Sequence, residues 1–110
     1  IAEISRTDEE KTLGLSGRAS LAPDAGMFFF NARNDYHPIW MKDMNFPIDI
    51  LWLAHDGRIV DIRANAPPES YPEIFRPQEP ARYVLELDAG AASRANVNIG
   101  DSITLPLVLY

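Results

Sequence analysis

Residues 64–81 hold five of the chain's nine prolines, at 67, 68, 72, 77 and 80. Proline lacks an amide hydrogen and fixes φ, so neither a helix nor a central strand can run through this stretch. The segment is expected to be a long extended loop, tacked down by Tyr71 and Phe75. Loops of this length without their own structure are more often functional or mobile than incidental.

On either side the sequence reads as short strands. Residues 1–5 alternate apolar and polar, the period of a half-buried strand. Thr7 with Glu10 has the spacing of a capping box, so a short helix is expected to about Leu13. Met27-Phe28-Phe29-Phe30 is an apolar run of strand length, and His37–Met41 reads as another strand. Lys42–Asn45 reads as a turn, and Pro47 opens a strand to Leu53. His55-Asp56-Gly57 signals a hairpin, with Arg58–Arg63 returning. Arg82–Leu87 is the next strand, Asp88 is expected to cap a helix to about Ala95, and Ser102–Tyr110 is a last strand broken by Pro106. Helices do not alternate with strands, so a doubly wound parallel sheet is not the expected architecture. The expected fold is one mostly β domain over residues 1–110. Its architecture is a compact antiparallel β-barrel or sandwich of six or seven strands with two short helices.

Composition narrows the function classes. Ten Lys and Arg against sixteen Asp and Glu give a formal net charge of −6. Phosphate backbones call for a basic face, so nucleic acid is not an expected partner. No stretch is apolar over the ~18 residues of a membrane span. Cysteine is absent, which removes disulfides, thiol nucleophiles and thiolate metal ligands. The two histidines, His37 and His55, lack ligand spacing, and no Gly-x-Ser-x-Gly elbow or phosphate loop occurs. No catalytic residue, metal or cofactor is assigned.

The segment Trp40-Met41-Lys42-Asp43-Met44-Asn45-Phe46-Pro47-Ile48-Asp49-Ile50-Leu51-Trp52 resembles the signature WMKNTxxPLDIxF of domain-of-unknown-function family 192. Three further blocks fall in the same order: Gly14-Leu15-Ser16-Gly17-Arg18, Gly26-Met27-Phe28-Phe29 and Tyr83-Val84-Leu85-Glu86 with Ala89-Gly90 and Gly100-Asp101. Ser16 stands where the family usually has Met, and Asp43-Met44 where it usually has Asn-Thr. The resemblance implies a compact, mostly β domain of a kind often found behind a leader in bacteria and archaea. An extracytoplasmic location is the corresponding expectation. The family supplies no activity to carry over.

Candidate site residues are Trp40, Lys42, Asp49, Arg18, Glu86 and Tyr71. An acid inside the apolar strand 47–53 is costly if buried without a partner. Asp49 is therefore expected to pair with Lys42 or Arg18, or to hold the backbone N–H groups of a nearby turn. Trp40 shares a strand face with Lys42, and the two could orient a polar ligand beside an aromatic surface. The leading reading is a small ligand-binding β domain for a small molecule or glycan. One alternative is a small hydrolase using Asp49 and Glu86, whose two carboxylates would have to share a cleft. A second is an accessory domain that docks a partner protein through the proline-rich loop or an edge strand.

Overall fold

In a computed structural model, residues 15–20 and 26–103 are described in full, and residues 2–5 by their backbone. Among the described residues seven strands appear: β1 (Ala2–Ser5), β2 (Gly26–Phe29), β3 (Ile39–Trp40), β4 (Ile48–Leu53), β5 (Ile59–Ala66), β6 (Ile74–Phe75) and β7 (Tyr83–Asp88). The α-helix α1 (Ala91–Arg94) follows β7. The expected helix at 7–13 and the strand body after Ile103 lie outside the described residues.

Five strands form a sheet in the order β1-β2-β7-β4-β5, and β3 and β6 form a separate small one. All pairings are antiparallel except β1 with β2. Among the described residues the outer strands β1 and β5 do not pair with each other, and no closed barrel forms. The architecture is thus sandwich-like, and the barrel alternative is corrected.

Both faces of the main sheet are covered, which explains why every residue of β2 and β4 is buried and not only alternate ones. Ile48, Ile50 and Trp52 of β4 join Met27, Phe29, Val84, Met41, Phe46 and Phe75 in one core cluster. Leu51 and Leu53 join Phe28, Ile59, Tyr83 and Ala92 on the other side. The small β3–β6 sheet lies over the first face, with Ile39 and Phe75 directed into that cluster. Helix α1 closes the second face through Ala92. Each buried Leu, Ile or Phe contributes about 1.5–3 kcal/mol relative to exposure, so the sandwich rests on these two layers.

The proline-rich segment has more structure than expected. Strand β5 continues to Ala66, which is buried and pairs with Ile48. A 3-10 turn follows at Pro68–Ser70, with proline in its first turn where the missing amide costs nothing. Strand β6 then adds two residues, and Ala81 exchanges backbone hydrogen bonds with Asp35 at 2.9 Å in both directions. The prolines punctuate these pieces; Pro67 and Pro72 flank the turn and its exit.

Candidate functional site

Asp49 is fully buried, and its position follows from strand alternation: it points to the face opposite Ile48 and Ile50. It meets neither of its two expected cation partners among the contacts resolved for its carboxylate. Oδ1 accepts the amides of Asn65 at 2.9 Å and Gly90 at 3.2 Å, and Oδ2 accepts that of Ala92 at 2.9 Å. Asn65 sits in a register irregularity of the β4–β5 pair with φ of 53°, a left-handed conformation that Asn tolerates. Gly90 and Ala92 belong to the first turn of α1. One carboxylate therefore satisfies a β-bulge and a helix start together. Asp88, expected to cap this helix, instead faces Arg94 at 3.7 Å, and the N-cap position is Gly90 with φ of 91°.

Glu86 lies on the other face. It pairs with Met27 across β2 and with Ile50 across β4, so both lateral neighbours are apolar. The residue is 5% exposed, and among the described residues no hydrogen-bond donor or cation reaches its carboxyl. Burial pushes the carboxyl up to about 8. Because Asp49 pairs with Leu87 and Ile50 with Glu86, the two acids point to opposite faces of the sheet. The structure does not bring them into one cleft, so the arrangement needed for two-carboxylate hydrolysis is absent at this pair.

Trp40, Lys42 and Tyr71 do converge. Trp40 ends β3 and pairs with Ile74 of β6. Since Ile39 and Phe75 of this small sheet turn inward, Trp40 and Ile74 turn outward. They are 46% and 45% exposed, and Tyr71 is 43% exposed. The Trp40 and Tyr71 rings meet with centroids 5.1 Å apart at 63°, an edge-on corner. A turn follows Trp40 directly, closed by the Met44 amide on the Met41 carbonyl at 3.1 Å. It sets Lys42 Nζ 5.6 Å from the Trp40 ring centroid. Ile74 was not apparent as part of this surface from sequence, because its pairing with Trp40 is long-range and neither two-residue strand has a readable period.

Arg18 approaches the same turn through its backbone. Its carbonyl accepts Asn45 Nδ2 at 2.8 Å, the Gly17 amide donates to the Asp43 carbonyl at 2.8 Å, and Ser16 Oγ donates to the Lys42 carbonyl at 2.9 Å. The Ser16 departure thus becomes a hydrogen bond that steadies the Lys42 turn. Asp43 adopts φ of 61°, which Asn and Asp both tolerate, so the other departure keeps the turn geometry. Among the described residues no group of three or more His, Asp or Glu side chains comes together as a metal site, and no helix is long and apolar enough to cross a membrane.

The profile of DUF192, described as "Uncharacterized ACR", matches residues 1–105. The chain belongs to the DUF192 family. Two solved structures are similar to it. One, from Sinorhizobium meliloti and described as a "putative transcription regulator", is 38% identical, with a TM-score of 0.87 over 92% of this chain and 78% of that one. The other, a protein of unknown function from Novosphingobium aromaticivorans, is 33% identical, with a TM-score of 0.86 over 94% of this chain and 74% of that one. No curated protein matches the chain. DUF192 membership accounts for the ordered sequence blocks, and in this chain two of them, around Arg18 and around Trp40–Asn45, are tied together by the three hydrogen bonds beside Lys42.

Proposed function

We propose that this DUF192 domain binds a ligand on the outer surface of its small sheet, with Trp40 and Tyr71 as the aromatic walls and Lys42 as the polar group. The observation that carries this reading is the convergence of two half-exposed rings and an ammonium, from two separate segments, on one surface. An aromatic pair of this kind contributes about 0.5–1.5 kcal/mol, and leaving so much ring surface in water has a use when a ligand covers it. Asp49 drops out of the ligand set and serves the fold, because its three acceptor contacts are all to backbone amides. The domain works outside the cytoplasm in this reading, an expectation drawn from the family resemblance. The regulator description of the Sinorhizobium relative gives little support for direct DNA contact here, since the net charge is −6.

Trp fluorescence tests the reading. Trp52 is buried and donates to the His37 carbonyl at 3.1 Å, so its emission should stay constant while that of Trp40 responds. Titration with small metabolites and oligosaccharides should shift the exposed component in wild type and not in Trp40→Phe. A flat response to every compound, with the fold intact by its melting temperature, would remove the proposal.

A further inference from the structure

The ring corner is open. Trp40 and Tyr71 form two walls, and no third aromatic contacts either ring among the described residues. A compact small molecule gains affinity by burying most of its surface in a concavity, which a two-walled corner does not offer. An extended ligand that lays one apolar face on a ring, and repeats, fits such a corner better. A pyranose presents such a face in its axial C–H groups, with hydroxyls left for water.

Lys42 adds a charge preference. Among the described residues its ammonium meets no carboxylate, although the chain carries sixteen acids. Its one resolved partner is the Trp40 ring. An ammonium beside an exposed indole in an acidic protein is placed to meet an anionic group on whatever stacks there. Single-stranded nucleic acid also combines stacking with negative charge, but its recognition calls for a basic groove along the backbone. Here Glu69 and Glu73 are exposed two residues on either side of Tyr71, and Lys42 stands as the ammonium of the corner. An ammonium with acids beyond it suits sparse charge on the ligand.

We infer that the Trp40–Tyr71–Lys42 corner takes an anionic saccharide, its sugar face on the rings and its carboxylate or ester anion on Lys42. This inference rests on the ligand-binding reading and names its ligand class. Its test is isothermal titration of the full chain with three probes: an oligogalacturonate, the matching neutral oligogalactose, and a sulfated galactose oligomer. A single-stranded oligothymidylate serves as the competing anion. Oligogalacturonate should bind, and Lys42→Gln should weaken it about tenfold, a difference of about 1.4 kcal/mol, while Lys42→Arg retains it. Trp40→Ala should abolish binding with the melting temperature preserved. Binding of the sulfated probe as well would assign the anion site to charge in general, and binding of the uronate alone to carboxylate geometry; either supports the inference. Neutral and acidic probes binding alike, with no effect of Lys42→Gln, would overturn it and leave the ligand-binding reading standing. Preference for oligothymidylate would overturn it in favour of a nucleic acid. Silence with all probes would overturn it, and only the wider metabolite titration above bears on the parent reading.

Discussion

The Asp49 carboxylate accepts the Ala92 amide at 2.9 Å, joining β4 to a helix 43 positions later in the chain. With Asn65 and Gly90 as further donors, three backbone amides depend on one buried side chain. Asp49→Asn keeps the shape but turns an NH2 group toward at least one of these donors. Each amide left without an acceptor costs about 1–3 kcal/mol, so the variant is expected to lose at least about 1–3 kcal/mol. The melting temperature should fall by roughly 4 °C or more. Differential scanning calorimetry decides the point: a midpoint within a degree of wild type would mean that these contacts do not hold the bulge and the helix.

Glu86 gives a pH dependence of unusual sign for an acid. Its carboxyl is pushed from 4.5 in the unfolded chain to about 8 in the fold by burial between Met27 and Ile50. Between those values the folded state holds a proton that the unfolded state has released, so stability falls as pH rises. Below 4.5 both states are protonated and the group has no effect; above about 8 both are ionised and the loss is complete. The total is roughly 4–5 kcal/mol across that window. Glu86→Gln should flatten this component of urea midpoints measured from pH 5 to pH 9. A slope shared by variant and wild type would assign it to other groups.

Much of the sandwich was legible in the sequence because its strands carry local signals. The Met27–Phe29 run, the Pro47 entry to β4 and the Asp56-Gly57 hairpin each combine an apolar stretch with a turn residue, and each appears where expected. The alternative that failed, closure into a barrel, depends on whether β1 meets β5, which no local pattern specifies. The proline segment was misread for the opposite reason. Its pieces are two or three residues long and are fixed by distant partners such as Ile48 with Ala66 and Trp40 with Ile74. At the site, residue type offered Trp40, Lys42 and Tyr71 as candidates, and the structure sets the Trp40 ring beside both Tyr71 and Lys42, but residue type also grouped Asp49 with Glu86. Strand register separates those two, and register is a property of paired strands and not of composition.

Gly26 should not tolerate a side chain. A Cβ there would lie 2.6 Å from Leu87 Cδ2 and 2.7 Å from the Glu86 carbonyl oxygen. Leu87 could rotate, but the carbonyl belongs to the β2–β7 ladder and can move only if the strands part. Gly26→Ala is therefore expected to cost about 1–3 kcal/mol by overpacking. Its urea midpoint at neutral pH is the measurement, and an unchanged value would show that β2 and β7 can separate locally without loss.

The proline-rich segment should resist cleavage under native conditions, and Asp61 should be the reason. Its Oδ2 accepts the Gln78 amide at 2.8 Å, while Gln78 Nε2 donates to the Val60 carbonyl at 3.0 Å. Together they fasten the end of the segment to β5, and buried Phe75 holds its middle. Glu69 and Glu73 are exposed in the same segment, so a glutamate-specific protease can report local opening there. Asp61→Ala removes an acceptor from a largely exposed contact and should lower global stability by only about 1 kcal/mol. When reclosing outpaces cleavage, proteolysis follows the population of the open form. Cleavage at Glu69 and Glu73 should then be about fivefold faster in the variant, since about 1 kcal/mol corresponds to that factor. Equal rates in the two proteins would mean that the packing of Phe75 alone governs opening.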